Sequence, residues 1–235
     1  MPGRVAMVLA AAAAAWAFTA ARMGGMDAGP GSDLGDLGWF TVSWLLMMAA
    51  MMLPAIAPVA VGYGRPARFA AGYLTTWVAA GLVAYAAVEG VRSLEPGFLV
   101  WDRAGRYVAA AVIVAAGVYQ LTRPKRACLR QCRDRRAWLP QRGPGAVRQG
   151  ARHGLVCVGC SWALMAALIA LGAMNLTWMA VVAALIAAER LLPRSDGPRR
   201  AIAIVLLVLG AAVALSPGDV PGLIIPGPGM GMHMG

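Results

Sequence analysis

Long apolar runs are the feature that most restricts how this chain can fold. Seven runs follow one another, covering residues 5–21, 39–61, 67–88, 105–121, 155–174, 176–188 and 201–215. Most of them approach the roughly 20 apolar residues that an α-helix needs to cross a bilayer. A segment in lipid must satisfy its own backbone hydrogen bonds, which a helix does within itself. The sequence therefore predicts an all-α fold, a polytopic transmembrane helical bundle with about seven spans.

The composition supports a membrane protein and argues against other classes. Hydrophobic residues make up 60% of the 235 residues and charged residues 13%, whereas a soluble domain is typically about 45–50% apolar and about 25% charged. Such values exclude a disordered chain and disfavour an ordinary soluble enzyme. The four cysteines are too few for a disulfide framework but sufficient for one metal or redox site.

Basic residues set the expected orientation of the spans. The chain has 21 Lys and Arg against 10 Asp and Glu, and ten of these bases lie within residues 123–152. Residues 62–66 and 190–200 are also basic, whereas residues 23–38 and 89–104 are acidic or mixed. With seven spans, the basic segments share one side and the others lie opposite. Since Lys and Arg collect on the cytoplasmic side, we expect a multi-pass protein of the bacterial inner (cytoplasmic) membrane, with the N-terminus inside and the C-terminus outside.

The same charges indicate a lipid partner and a division of the chain. Anionic lipid head groups account for the bases of residues 123–152, at about 1 kcal/mol per residue near a membrane surface. Nucleic-acid binding is not expected, and the sequence identifies no protein partner. We divide the chain into 1–38, a membrane anchor or a signal peptide with an outer loop; 39–216, the helical membrane domain with its cytosolic loop 123–152; and 217–235, a flexible tail rich in Pro, Gly and Met.

Two cysteine pairs carry the clearest chemical signal. Cys128 and Cys132 are four residues apart, so a helix that continues past the fourth span puts both thiols on one face. Cys157 and Cys160 share a face at the start of the fifth span, and His153 lies one turn before Cys157. In the predicted topology all four thiols lie at the cytoplasmic membrane surface, where thiols stay reduced. Thiolates select zinc, copper(I) or iron–sulfur clusters, so we expect a metal or redox site.

Charged groups near the cysteines are expected to tune this site. The arginines of residues 123–152 and the N-terminus of the fifth span should lower the pKa of the thiols and favour thiolates. The alternative is that the cysteines are merely small apolar residues at helix ends. Glu189 ends the sixth span beside Arg190, and we expect an interfacial carboxylate that snorkels or pairs with an arginine.

A methionine cluster in the second span is a further candidate for metal binding. Met47 and Met51 form one i,i+4 pair and Met48 and Met52 another, so four thioethers cover adjacent strips of one helix. Thioether sulfur is a soft, neutral ligand that suits copper(I) and brings no charge into the bilayer. Packing accounts for the same residues, because methionine fills irregular gaps in any apolar bundle. The sequence leaves both roles open.

The order and spacing of these motifs are similar to those of a known family. Its motifs here are Met47-Met-x-x-Met-Met-Leu-Pro54, Cys128-x-x-x-Cys132, His153-Gly-Leu-x-Cys157-x-Gly-Cys160 and Glu189-Arg-Leu-Leu-Pro193. Over roughly residues 40–193 the chain resembles the bacterial predicted metal-binding integral membrane protein family, a domain-of-unknown-function family (DUF2182). The resemblance implies a helical membrane protein with a metal site built from the Cys and Met motifs. That family usually has two adjacent cysteines before a tryptophan; Ser161 replaces the second one here, which leaves a four-cysteine site.

Three functions are compatible with these residues. The first is binding of a soft metal ion, copper(I) or zinc, through the paired cysteines and the methionine cluster, with a role in metal handling. The second is a membrane thiol–disulfide oxidoreductase that uses Cys157 and Cys160 with Cys128 and Cys132 as a relay pair; the cytosolic position of the thiols counts against it. The third is a non-catalytic assembly or scaffold subunit. No catalytic residue emerges, and an enzyme is the less favoured interpretation.

Reporter fusions and protease protection test the predicted orientation. Reporters inserted within residues 123–152 should show a cytoplasmic location, because these residues carry ten of the bases and bases are retained on that side. Reporters within residues 23–38 should show the opposite side. Cleavage of residues 123–152 by a protease added outside intact cells would contradict the topology.

Overall fold

Helices make up the regular structure of the described part of the chain. A computed structural model describes residues 2–23, 34–94, 104–134, 138, 145–172, 175–192 and 196–223. Within these ranges there is no strand, and the all-α prediction is confirmed for them. The helices are α1 (Pro2–Met23), α2 (Leu37–Gly62), α3 (Pro66–Arg92), α4 (Arg106–Leu121), α5 (Arg123–Arg133), α6 (Ala146–Gly172), α7 (Leu176–Leu191) and α8 (Gly197–Leu215), followed by a 3-10 turn at Pro217–Asp219.

Five of the described helices are long and apolar enough to cross a membrane, namely α1, α2, α3, α6 and α8. The helices α4 and α7, which we expect as the fourth and sixth spans, have 16 residues each. At 1.5 Å per residue they are about 24 Å long, which is shorter than a hydrocarbon core of about 30 Å. The helical lengths are therefore compatible with a membrane bundle, while the number of seven spans and their orientation stay predictions.

Side-chain caps begin two of these helices where the sequence changes from polar to apolar. Asp36 Oδ1 accepts hydrogen bonds from two backbone N–H groups in the first turn of α2, at 2.8 and 3.0 Å. Asn175 Oδ1 caps α7 in the same way, and each cap satisfies donors that a helix start leaves unpaired. Asn175 Nδ2 also donates to the Gly222 carbonyl oxygen at 2.8 Å. The first residues of the predicted tail thus contact α7, and residues 224–235 lie outside the described ranges.

The basic segment begins as a separate helix, not as a loop or a continuation of α4. Thr122 is extended, with ψ 157°, so it ends α4, and its hydroxyl accepts the Lys125 N–H to cap α5. Helix α5 packs against α6 and α7 and buries Lys125, Leu129 and Cys132. The expectation that Cys128 and Cys132 extend the fourth span is wrong, although the two still share one helix.

Glycines let α3 and α6 approach closely, which positions the site described below. A Cβ added at Gly72 would press on the Val147 carbonyl oxygen, and one added at Gly150 would press on the Phe69 carbonyl oxygen. Small residues of this kind allow helix backbones to touch in membrane bundles. The contact brings the α3 side chain of Tyr73 against α6.

Substitution of Gly150 by Ala should separate these two helices. The added methyl group meets the backbone of Phe69, which cannot rotate away, so we expect a loss of about 1–3 kcal/mol in stability. Gly90→Ala is the matched control, since a Cβ there meets nothing within 4 Å. Thermal unfolding in detergent measures both. Equal midpoints for Gly150→Ala and Gly90→Ala would contradict this helix contact.

Candidate metal centre

Three of the four cysteines converge where α5, α6 and α7 meet. Cys132 Sγ lies 3.5 Å from Cys160 Sγ, and the Cys132 thiol also hydrogen-bonds with Cys157. All three side chains are buried, and all are free thiols. The spacing in the sequence places each pair on one helix face; the packing of α5 on α6 makes the two faces meet.

Cys128 lies beside this cluster. Its side chain is only partly buried, and a Cβ added at Gly159 would lie 3.3 Å from its Sγ. The fourth thiol therefore touches α6 next to Cys160 but remains closer to the surface than the other three.

The thiols of α5 do not have the lowered pKa that we expect from the neighbouring arginines. Burial raises the pKa of Cys128, and the charge on Cys160 raises it further. Hydrogen bonds with Cys157 and Cys160 raise the pKa of Cys132. The expectation of a lowered pKa is therefore wrong for these two residues. Packing shields their thiols from water and places them next to other thiols.

The second cysteine pair lies farther from the N-terminus of its helix than we expect. Helix α6 begins at Ala146, so Cys157 lies about 16 Å along its axis at 1.5 Å per residue. The charge of a helix terminus acts within its first turn. The N-terminus of α6 is therefore too far away to stabilise a thiolate at Cys157.

A cation from another helix, α7, is in position to stabilise a thiolate at Cys157. Arg190 Nη2 of α7 donates to Cys157 Sγ at 2.5 Å and to Cys160 Sγ at 3.7 Å. The hydroxyl of Tyr73 lies 2.8 Å from Cys157 Sγ on the α3 side. A guanidinium against sulfur stabilises negative charge on that sulfur. Reasoning from the sequence missed both partners of Cys157, although Arg190 is part of the Glu189-Arg190 motif.

A buried ion pair fixes α5 on the other two helices. Lys125 Nζ lies 2.7 Å from Glu189 Oε2, and the two side chains are 1% and 2% exposed. The same ammonium group donates to the Cys160 carbonyl oxygen at 2.5 Å, while Arg133 donates to the Glu189 carbonyl oxygen. The snorkelling carboxylate that we expect at Glu189 is wrong, because its side chain is buried and paired with Lys125 of α5; its interfacial depth stays a prediction.

His153, the remaining candidate in α6, lies among aromatic rings. Its ring centroid is 4.6 Å from that of Trp138 and 5.8 Å from those of Phe69 and Tyr73. The side chain is buried, and within the described ranges its Nδ1 has no hydrogen-bond partner. The rings place His153 beside Tyr73, and its role as a metal ligand stays a prediction.

The four methionine candidates are buried in α2, with Met48 and Met52 fully so. Helix α2 packs against α1, α3 and α7. Met165 of α6 and Met179 of α7 belong to the same hydrophobic core. Core packing accounts for their burial, and the ligand role of Met47, Met48, Met51 and Met52 stays a prediction.

The donor set suits an ion that needs few, soft ligands. Among the described residues, no three His, Cys, Asp or Glu side chains already form an arrangement that could hold a metal ion. A structural zinc site is tetrahedral and takes four ligands. Copper(I) prefers thiolate and thioether sulfur and accepts low coordination numbers. Cys157 and Cys160, with Cys132 beside them, offer sulfur in the number and kind that copper(I) accepts.

A comparison with known families identifies the group to which these residues belong. The model of the PpoB2 family, described as a copper chaperone, matches residues 41–213. The chain belongs to this copper chaperone family. The match includes the methionine segment, all four cysteines and Arg190. No curated protein and no solved structure matches.

This membership confirms the predicted kinship with a metal-related family and gives copper as the metal that the family handles. The narrower resemblance to DUF2182 stays a prediction. For a copper chaperone the ion is cargo, so a site needs sulfur ligands together with groups that hold them in place. In this copper chaperone family member, Lys125 and Glu189 hold the helix that carries Cys132.

Breaking the buried ion pair should therefore destabilise the protein. Lys125→Met leaves the Glu189 carboxylate buried and unpaired, which costs about 3–5 kcal/mol. The double variant Lys125→Met/Glu189→Leu removes both charges and should recover most of the thermal stability. Arg126→Met is the control, because its pair with Asp196 is 3.5 Å long and about two-fifths exposed and such pairs contribute about 0–1 kcal/mol. If Lys125→Met melted at the same temperature as Arg126→Met, the ion pair would not have this structural role.

Proposed function

We propose that this chain is a membrane copper chaperone that holds copper(I) at Cys157 and Cys160, with Cys132 as a third sulfur ligand. The convergence of three buried thiols from two helices carries this proposal. The family match supports copper as the metal, and soft thiolate ligands select copper(I). Zinc is the second choice, since it requires more ligands than this cluster brings together.

A membrane location is part of the proposal. In the part of the chain that the structure describes, five helices are long and apolar enough to span a bilayer. Large apolar side chains point away from the bundle, and Val83, Leu155 and Val208 are 72%, 65% and 63% exposed. A broad apolar surface of this kind is unfavourable in water and is covered by lipid in a membrane protein. We place the protein in the bacterial inner membrane, with the exposed arginines of α5 near anionic lipid on the cytoplasmic side.

The thioethers of α2 form a second, neutral set of candidate ligands. Met47, Met48, Met51 and Met52 lie inside the bundle, where a thioether can bind copper(I) without adding charge. In this proposal the thiols hold copper(I) and the methionines offer it further ligands within the membrane.

The oxidoreductase and scaffold alternatives make a different prediction for the thiols. An oxidoreductase cycles its cysteines between thiol and disulfide, and a scaffold keeps its fold and partners without metal. The copper chaperone family favours neither alternative. Metal content of the purified protein separates the three functions.

Metal analysis of cysteine variants tests the proposal directly. The full chain, purified in detergent and loaded anaerobically with copper(I), should retain the metal after desalting. Cys157→Ser/Cys160→Ser should lose at least about tenfold in copper(I) affinity, because two of the converging thiols are removed. Competition with a chromophoric copper(I) chelator measures the affinity.

Cys128→Ser is the matched control for this experiment. It makes the same chemical change at the thiol that lies beside the cluster, so its affinity should stay within a few-fold of that of the original chain. Wild-type protein that stays metal-free after loading would refute the proposal. So would equal affinities of the double variant and Cys128→Ser.

A further inference from the structure

Arg190 is in direct contact with the sulfur atoms at the centre of the proposed site. Its guanidinium reaches Cys157 Sγ at 2.5 Å and Cys160 Sγ at 3.7 Å from the same nitrogen. The side chain is only partly exposed, and arginine remains protonated in proteins. A permanent positive charge therefore lies within the first layer of atoms around the two thiols of α6.

The groups around Arg190 leave this charge directed at the thiols. The neighbouring carboxylate, Glu189, is held by Lys125 at 2.7 Å. On the other sides of the cluster, α3 contributes the hydroxyl of Tyr73, which is neutral, and α5 contributes the thiol of Cys132. Within the described contacts, the charge that balances Arg190 is thus the charge on the sulfur atoms.

We propose that Arg190 is a specificity-determining residue that makes the site prefer a monovalent soft cation over a divalent one. This inference rests on the copper-binding function proposed above. The guanidinium stabilises the thiolates equally for every metal, but it repels a bound divalent ion twice as strongly as a monovalent ion at the same position. Burial strengthens this difference, because salt and water screen a buried charge less than an exposed one.

Charge balance leads to the same preference. With Cys132 as a neutral thiol ligand, the two thiolates of Cys157 and Cys160 and a copper(I) ion carry one net negative charge, which Arg190 neutralises. Two thiolates with a divalent ion are already neutral, and Arg190 then leaves an uncompensated positive charge. An unpaired charge in a poorly solvated site is costly. The arginine therefore disfavours zinc even though zinc binds thiolates well.

Two soft probe ions separate the effect of charge from the effect of softness. Silver(I) is the monovalent probe and cadmium(II) the divalent probe, and both prefer sulfur ligands. The ratio of their affinities is measured by competition on the full chain in detergent. Arg190→Gln keeps a hydrogen-bond donor near Cys157 but removes the charge, so the ratio of silver to cadmium affinity should fall by at least about tenfold.

Arg190→Lys and Arg130→Gln complete the test. Arg190→Lys retains the charge and should keep the affinity ratio within a few-fold, even where the altered geometry lowers the affinity for both ions. Arg130→Gln removes a charge from the exposed face of α5 and should leave the ratio unchanged. An unchanged ratio in Arg190→Gln would overturn the inference. If Arg190→Gln does not fold, a ratio in Arg190→Lys that falls tenfold overturns it instead, because that variant keeps the charge.

The outcomes also distinguish this inference from the function on which it rests. Wild-type protein that binds neither copper(I) nor silver(I) would refute copper handling itself. Tight binding of silver(I) with a ratio that is insensitive to the charge at position 190 would leave copper handling in place and refute only the role of Arg190.

Discussion

The buried pair of Lys125 and Glu189 is the interaction on which the candidate site depends. It joins α5 to α7, and the same ammonium group binds the carbonyl oxygen of Cys160 in α6. One charged side chain thus fixes three helices relative to one another. Removing either partner leaves a charge in an apolar environment, which is why such a pair holds its geometry so firmly. The position of Cys132 against Cys160 follows from these contacts of Lys125.

Two positive charges at the site have different roles. Lys125 is neutralised by a carboxylate and acts through geometry, whereas Arg190 faces sulfur and acts through its charge. Exposed bases such as Arg130 point away from the cluster. The basic residues of this chain therefore have three different roles. Exposed bases contact the surroundings of the protein, Lys125 attaches α5 to its neighbours, and Arg190 stabilises thiolates that suit copper(I).

Local features of the site could be predicted because they depend on neighbours in the chain. The helical spacing of Cys157 and Cys160 places both thiols on one face. The contacts of Tyr73 and Arg190 with Cys157 could not be predicted, since these residues are 84 and 33 positions away. The burial of Glu189 could not be predicted for the same reason: its position in the chain suggests a helix end near water, and only the docking of α5 buries it.

The sequence by itself determined an all-α chain of long apolar helices, the pairing of cysteines on helix faces and the metal-related family. These properties follow from periodicity, hydrophobicity and motif spacing, which the chain carries locally. The tertiary structure alone decided that three thiols meet, that Cys128 stays at the edge and that Arg190 supplies the charge. Side chains on different helices interact through packing, and close glycine contacts such as that of Gly150 with α3 set those distances.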